Sequence, residues 1–216
     1  MPPTPAVPIP TPIYRIFDAK NLRSVLRDGC FHSPRIVQDS GKKVVHISHT
    51  SIMDRRATTA VPCDPRGYLS DYVGFYFAPR SPMLYAIHMN NVQGHDGNQE
   101  RIIYAVTTAQ TVQTLGLPFV FTDGHAIMSL TEFFDDLSRL PEVDWTIMNS
   151  QYWNDTNEYP DRKRRRQAEF LVYEVFPWDI VHEVGVMTKR MQKRVRQVIA
   201  EHGKDTTVTV HPEWYY

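Results

Sequence analysis

One glutamate stands where a run of basic residues meets an apolar segment, and this junction is the part of the chain best suited to chemistry. Five consecutive cations at 162–166 precede Glu169, and strand-forming residues fill most of 170–176. We expect Glu169 at the mouth of a buried strand, where burial and neighbouring cations set its charge. Such a carboxylate can stabilise a cationic transition state or accept a proton. The simpler interpretation is a structural ion pair with Arg165 or Arg166.

Short strands and short helices alternate irregularly around this junction. Apolar β-formers predict strands at 13–17, 72–77, 101–106, 119–121, 170–176, 181–186 and 208–210. Helical spacing predicts helices at 18–27, 51–56, from 83 onward, and at 108–115, 130–140 and 189–202. Gly29 and Gly116 are placed to end two of these helices. This order favours an α+β fold with a mixed or antiparallel sheet over a doubly wound parallel sheet.

The composition indicates one domain without an overall charge. The chain has 216 residues, and 24 Lys and Arg balance 24 Asp and Glu, so affinity for nucleic acid would have to come from local patches at 162–166 or 189–196. Six prolines in residues 1–12 predict an extended lead-in, followed by a single domain over 13–216. The polar, turn-rich segment 34–70 is long for a connection and is a candidate binding element.

Several familiar chemistries lack their residues. The nine histidines show no paired spacing of metal ligands, and Cys30 and Cys63 lie in no reactive motif. We therefore predict neither a metal site nor a cysteine nucleophile. The two cysteines, the lack of a leader pattern and the lack of a membrane-length apolar run predict a cytoplasmic protein without a membrane segment.

A series of segments, taken in order and spacing, is more specific than any one of them. They are TPIY at 11–14, DRR at 54–56, DYVGFYF at 71–77, PRSPMLY at 79–85, GLPFVFTD at 116–123, QAEFLV at 167–172 and WYY at 214–216. Through this series the chain resembles, nearly end to end, the DarT family of DNA ADP-ribosyltransferase toxins.

The resemblance implies transfer of ADP-ribose from NAD to a base in single-stranded DNA, thymine in the most similar branch. It implies the ADP-ribosyltransferase fold, a split mixed sheet with helices around it and NAD in the cleft between the halves. It also implies a toxin whose partner is a macrodomain antitoxin that removes the modification.

Two residues match the catalytic positions of the family, Glu169 and Arg56. Breaking the bond between nicotinamide and ribose builds positive charge on the ribose, which a carboxylate on a ribose hydroxyl stabilises. In the family the loop arginine acts with the glutamate on the proton of the acceptor nitrogen. Because the pKa of arginine is about 12.5 or higher, we predict that Arg56 binds the NAD phosphates and positions the base, while Glu169 receives the proton. A solvated loop arginine is the alternative for Arg56.

Matching positions also imply the NAD-binding residues, which come from the first strand, the next helix, the turn after it and the polar loop. They are Arg15, Ile16, Phe17, Ser24, His32 and Arg56, with Tyr76 and Met83 as walls of the nicotinamide pocket. Many relatives carry His-Ile-Thr in place of Arg15, Ile16 and Phe17, a departure that affects NAD affinity and acceptor choice. Core packing explains an aromatic such as Tyr76 equally well.

The segment before Glu169 is the one that selects the acceptor in the family, and here it spans 125–169. Unpaired bases stack on aromatic rings and phosphates attract cations. The predicted DNA contacts are His125, Trp153, Lys163, Arg165 and Arg166. Trp145 lies in a helical pattern and suits the core equally well.

Two other functions remain open from the residues. An NAD-dependent transferase acting on RNA or protein would carry the same glutamate and pocket. A non-catalytic nucleic-acid-binding module would explain Arg15 and Phe17 as marks of a decayed NAD pocket.

Overall fold

An eight-stranded sheet and a separate two-stranded sheet organise the molecule. The computed structural model describes residues 6–92 and 97–216. The strands, numbered in chain order, are β1 (Pro12–Asp18), β2 (Cys30–His32), β3 (Tyr72–Tyr76), β4 (Ile102–Thr108), β5 (Phe119–Thr122), β6 (Phe133–Phe134), β7 (Glu169–Tyr173), β8 (Val175–Pro177), β9 (Glu183–Val186) and β10 (Thr207–Val210). Of the proline-rich lead-in, residues 1–5 lie outside the described residues, and 6–11 form neither helix nor strand.

Short helices connect these strands. They are α1 (Leu22–Asp28), α2 (Pro34–Asp39), α3 (Thr50–Thr58), α4 (Pro82–His88), α5 (Ala109–Thr114), α6 (Trp145–Met148), α7 (Arg162–Arg165) and α8 (Lys189–Glu201). Single 3-10 turns occur at Ala19–Asn21, Leu69–Asp71, Gln99–Arg101, Leu137–Glu142, Trp178–Ile180 and Pro212–Trp214.

The large sheet is split in its middle. Its strand order is β10-β9-β4-β1-β3-β7-β5-β6, and its pairs are antiparallel except β9 with β10. β1 pairs with β4 along its whole length, from Pro12 to Asp18, and β3 pairs with β7 from Tyr72 to Tyr76. Between β1 and β3 the described residues form the single pair Tyr14–Tyr76. The halves therefore diverge beyond that pair, which confirms the α+β fold with a split, mixed sheet.

Apolar side chains fill both faces of this sheet. The larger cluster includes Phe75, Phe170, Phe176 and Trp178, while Tyr104 belongs to the second cluster. Residues of β1 alternate between the clusters as a strand requires, so Ile13 and Phe17 enter the first and Ile16 the second. This alternation fixes which side chains of β1 face the split.

Two predictions about the elements were wrong. The predicted helix at 130–140 is instead β6 followed by the 3-10 turn Leu137–Glu142, because the Asp136 side chain accepts from the Ser138 N–H and Pro141 cannot continue an α-helix. The apolar run 170–176 is broken at Glu174, whose φ of 54° turns the chain. β7 therefore stays in the large sheet and β8 pairs with β2. The other predicted elements lie within a few residues of those observed.

Candidate active site

A cleft of about 840 Å³ opens where the two halves of the sheet diverge. Its walls come from β1, α1, β2, the segment 41–57, β3 and the start of β7. The residues predicted to bind NAD all line it: Arg15, Ile16, Phe17, Ser24, His32, Arg56, Tyr76 and Met83. Glu169 and His125 line it as well. Positions far apart in the chain thus converge on one cavity.

Glu169 is paired inside this cleft with Arg56. Arg56 Nη1 donates to Glu169 Oε2 at 2.7 Å, and the Ala126 N–H donates to the other carboxylate oxygen at 3.2 Å. The Glu169 side chain is only 7% exposed, and its backbone N–H is bound by the Thr122 hydroxyl at 3.0 Å. The alternative of a structural pair with Arg165 or Arg166 is therefore wrong. The arginine partner and the Ala126 N–H fix the direction of this buried carboxylate.

Arg15 links the two halves of the sheet at the base of the cleft. Its Nη1 donates to the Gly74 carbonyl of β3 at 2.8 Å, and its guanidinium carbon lies 5.0 Å from the centre of the Phe31 ring. Burial, with the nearby charge of Arg56, lowers the pKa of Arg15 to about 10. The side chain thus stays cationic at neutral pH. Its buried Nε–H has no hydrogen-bond acceptor among the described residues.

Phe17 packs against an aromatic neighbour at the edge of the cleft. Phe17 is 5% exposed and meets Phe31 edge to face, with ring centres 5.0 Å apart. Phe31 thus contacts both Arg15 and Phe17. Arg15 and Phe17 are joined through this one aromatic ring, and both residues line the cleft.

Tyr76 faces the same part of the cleft as Glu169, because the two residues are direct partners in the β3–β7 register. Burial, reinforced by the Glu169 charge, raises the pKa of Tyr76, so its phenol is neutral at neutral pH. Met83 packs against the second core cluster while lining the cleft. Tyr76 and Met83 therefore line the cleft and pack against the core at the same time.

Two predicted NAD contacts lie on the α1 side of the cleft. The Ser24 hydroxyl donates to the Asn21 carbonyl at 2.8 Å. His32 Nε2 lies 3.4 Å from Cys30 Sγ and 4.0 Å from Asp28 Oδ2. Sequence reasoning did not single out Cys30 and Asp28, which line the cleft beside His32.

His125 closes the cleft on the side of Glu169. Burial lowers the pKa of His125, and the positive charges of Arg56, Arg55 and Lys163 act in the same direction, against the opposing charge of Glu169. The ring is therefore neutral at neutral pH. Its backbone N–H donates to the Arg164 carbonyl at 3.0 Å, which ties His125 to the basic segment.

Arg164 holds the loop that reaches Glu169. Its guanidinium forms a fork to Asp123 at 3.0 Å and binds Asp161 at 2.8 Å and the Thr131 hydroxyl at 3.2 Å. The side chain is 11% exposed, and it fills the space where a Cβ of Gly124 would lie. Sequence reasoning missed this role, although Asp161 three residues before Arg164 on a short helix was a usable signal.

Two of the predicted DNA contacts have buried side chains. Arg166 is 5% exposed, and its guanidinium donates to the carbonyls of Ile147 and Pro79 at 2.8 and 2.7 Å. Trp153 is 6% exposed, and its Nε1 donates to the Tyr216 hydroxyl at 3.0 Å. Both side chains are committed to the protein interior, so neither presents a free surface to DNA. Trp145 is likewise a core residue.

Of the other three predicted contacts, His125 lines the cleft, and Lys163 and Arg165 are exposed on α7. Arg165 is held loosely by Asp161 at 3.1 Å and by Asp144 at 3.3 Å. The aromatic side chains that do face solvent in the preceding loop are Tyr152 and Tyr159, with 75% and 54% of their surface exposed. Exposure therefore favours Tyr152 and Tyr159 over the predicted Trp153 as surfaces for an external ligand.

The described parts of the chain add two further findings. None of the helices within residues 6–92 and 97–216 has the length and apolarity needed to cross a bilayer. In the same ranges, no three His, Cys, Asp or Glu side chains converge where they could hold a metal ion.

Comparison with known proteins identifies the family. The family model "DarT: ssDNA thymidine ADP-ribosyltransferase, DarT" matches residues 14–216. A DNA ADP-ribosyl transferase of Thermus sp. (strain 2.9) is 40% identical over 211 residues, which cover 97% of this chain and 98% of that protein. The solved structure of Thermus sp. 2.9 DarT in complex with ADP-ribosylated ssDNA superposes with a TM-score of 0.92, and that with NAD+ with 0.87, both at 38% identity. These matches cover 99% and 98% of this chain and 100% of each solved chain. The chain therefore belongs to the DarT family of single-stranded DNA thymidine ADP-ribosyltransferases.

Proposed function

We propose that this protein transfers ADP-ribose from NAD to a thymine base of single-stranded DNA and releases nicotinamide. The observation that supports this most directly is the Arg56–Glu169 pair, joined at 2.7 Å inside a cleft of about 840 Å³. The cleft has the volume of a typical small-molecule site, about 300 to 1,000 Å³. We infer the reaction from membership of the family. The side chains around the cleft provide the chemical groups that this reaction needs.

Glu169 acts on the ribose. As the bond from ribose C1′ to the nicotinamide nitrogen breaks, the electron pair leaves with nicotinamide and positive charge develops on the ribose. A buried carboxylate directed by Arg56 and the Ala126 N–H stabilises that charge without reorganising. Neutral Tyr76 and Met83 form the pocket wall, and Arg15, with an unused Nε–H, binds an oxygen of NAD.

The acceptor nitrogen of thymine then bonds to C1′ and loses its proton. Glu169 is the acceptor of that proton, because Arg56 remains cationic and serves to hold the carboxylate and orient the base. The products are ADP-ribosylated thymine, nicotinamide and one proton. Neutral His125 lies on this side of the cleft, where it orients the thymine without adding positive charge.

The DNA strand crosses α7 at the mouth of the cleft. Exposed Lys163 and Arg165 attract its phosphates, and exposed Tyr152 and Tyr159 offer rings on which unpaired bases stack. An unpaired acceptor enters the cleft without loss of base pairing. Lys163 and Arg165 thus remain the proposed phosphate contacts, and Tyr152 and Tyr159 replace Trp153 as the proposed stacking residues.

The setting of this reaction follows from the family. The protein acts as a toxin in the cytoplasm, consistent with unpaired Cys30 and Cys63, and a macrodomain antitoxin that removes the modification is its partner. Single-stranded DNA at replication forks is the polymer exposed to it.

Mass spectrometry of four homopolymeric DNA oligonucleotides, an RNA oligonucleotide and a protein substrate, each incubated with NAD, tests the proposal. We expect one ADP-ribose added to the thymine oligonucleotide, with release of nicotinamide. ADP-ribose added only to RNA or protein would show that the acceptor is not DNA. Binding of DNA with no turnover of NAD would favour the non-catalytic module.

A further inference from the structure

The second basic run of the sequence, at 189–196, takes no part in the cleft. It lies on α8, which turns its apolar stripe of Met191, Val195, Val198 and Ile199 towards the core. Lys189, Lys193 and Arg194 are consequently exposed on the opposite face. Exposed cations grouped on one helix attract anionic partners.

The 3-10 turn Ala19–Asn21 and α1 bring further cations to the same surface. A hollow of about 320 Å³ lies between this segment and α8 and is lined by Ala19, Lys20, Arg23, Arg194, Gln197 and Val198. The ion pair Arg23–Glu201, at 2.7 Å, joins α1 to α8 beside it. We refer to this hollow, with exposed Lys193 at its edge, as the basic groove.

The charge of the basic groove is not balanced locally. Glu201 is committed to Arg23 and also accepts from Gln197 at 2.9 Å. In the described parts of the chain, none of the ion pairs within 4.0 Å includes Lys20, Lys193 or Arg194. The chain as a whole has no net charge, so three unpaired cations in one place are a local surplus.

We propose that the basic groove binds the phosphodiester backbone of the single-stranded DNA substrate at a distance from the acceptor base. The identity of the polymer rests on the proposed function. The segment 19–28 is the wall between the two sites, since Ser24 and Arg27 line the cleft while Lys20 and Arg23 line the groove. A strand that extends past the cleft therefore has a second cationic surface within reach.

The chemistry of the groove favours a backbone over bases or an apolar partner. Its described lining offers cations and an amide, with Ala19 and Val198 as its apolar residues. No aromatic ring of the described residues lines it, so they offer no surface there for base stacking. Binding there is electrostatic and independent of base sequence.

The test uses the variant K20Q/K193Q/R194Q and fluorescence anisotropy without NAD, on a short oligonucleotide that fills only the cleft mouth and on a long one. Each phosphate neutralised on a single strand contributes about 0.7 to the slope of log K against log salt. Three lost contacts should therefore make the slope for the long strand shallower by about 2. Affinity for the short strand should not change.

The matched control is R66Q/R139Q/K204Q, which removes three cations elsewhere on the surface. An unchanged slope for the groove variant, an equal change for the control, or an equal loss on the short strand would overturn the proposal. If an acidic protein occupies the basic groove instead, we expect the first of these results, an unchanged slope for the groove variant. Wild-type protein that binds both strands with the expected slopes but transfers nothing would contradict the proposed function alone.

Discussion

Two runs of basic residues look alike in the sequence, and the structure uses them in opposite ways. Residues 162–166 and 189–196 each hold five cations. In the first run, Arg164 and Arg166 are enclosed and hold the segments that frame Glu169. In the second run, Lys193 and Arg194 face solvent without carboxylate partners among the described residues.

The difference lies in what surrounds each run. Asp123, Asp144 and Asp161 stand around the first, together with backbone carbonyls, so its arginines become part of the framework. Around the second run, Glu100 pairs with Arg190 and Glu201 pairs with Arg23 of α1, which leaves cations over. Charge density along a sequence therefore does not show whether a basic run is enclosed or faces solvent. The outcome depends on which carboxylates and backbone carbonyls the fold places beside the run.

The largest effect is expected at Glu169, the residue that the first run frames. Glu169→Gln keeps the shape and an oxygen for the Ala126 N–H but removes the charge. Loss of electrostatic stabilisation of the transition state should lower kcat by about 10³-fold. Mass spectrometry of the modified oligonucleotide measures the rate, with thermal unfolding as the check on the fold. A rate retained within about tenfold would exclude Glu169 as the catalytic carboxylate.

Arg166→Met tests whether the first run is a framework. The change leaves the carbonyls of Pro79, Ile147 and Met148 buried without their donor. We expect a loss of about 3 kcal/mol in the free energy of unfolding, which corresponds to a fall in Tm of about 6–12 °C. Differential scanning calorimetry measures it. A stable variant with weakened DNA binding would instead restore Arg166 as a DNA contact.

Arg164→Met should damage turnover more than stability. Without the fork to Asp123, the loop that carries His125 and Ala126 is free to shift, and displacements of about 1 Å cost up to 10²-fold in rate. We expect kcat at saturating DNA to fall about 10- to 100-fold with the KM for NAD unchanged. Arg139→Met, which removes an exposed arginine paired with Glu142, is the control and should stay within about twofold. Parallel losses in kcat and NAD affinity would indicate general disruption.

Helices and strands could be predicted from the sequence where neighbouring residues alone determine them. The strand at Glu169, the helix from Lys189 and the ends at Gly29 and Gly116 follow from periodicity and turn chemistry. The resemblance named the residues of the cleft, and the structure brings all of those assigned to NAD to one cavity.

What the sequence could not supply was which side chains are enclosed. Trp153 and Tyr152 are adjacent in the chain, yet one is buried and the other is 75% exposed. The partner of Glu169 lies 113 residues away in the chain, on α3, so no local pattern could separate Arg56 from Arg165. Such choices depend on tertiary packing, which propensity and spacing do not encode.

Lys163→Gln measures the part of the first run that remains exposed. If Lys163 contacts one phosphate, the slope of log K against log salt for single-stranded DNA should become shallower by about 0.7. Activity at low salt and saturating DNA should change little. Tyr152→Ala is the complementary variant, since loss of stacking should weaken binding by about 1–3 kcal/mol without changing the slope. Identical slopes for wild type and Lys163→Gln would exclude a phosphate contact at Lys163.

The smallest effect concerns the pH dependence contributed by His125, whose backbone is tied to Arg164. Burial lowers the pKa of His125 below its ordinary value of about 6.5. The unfolded chain therefore binds more protons at this position as the pH falls below 6.5, so protonation disfavours the folded state. The stability associated with neutral His125 is fully present above pH 6.5 and is lost as the pH falls through the lowered pKa. His125→Asn should flatten this decline in urea unfolding measured between pH 7 and pH 5, with no differential effect at pH 7 and above. If the stability of His125→Asn declines with falling pH as steeply as that of the wild type, the His125 ring is in contact with water and is not buried beside residues 162–166.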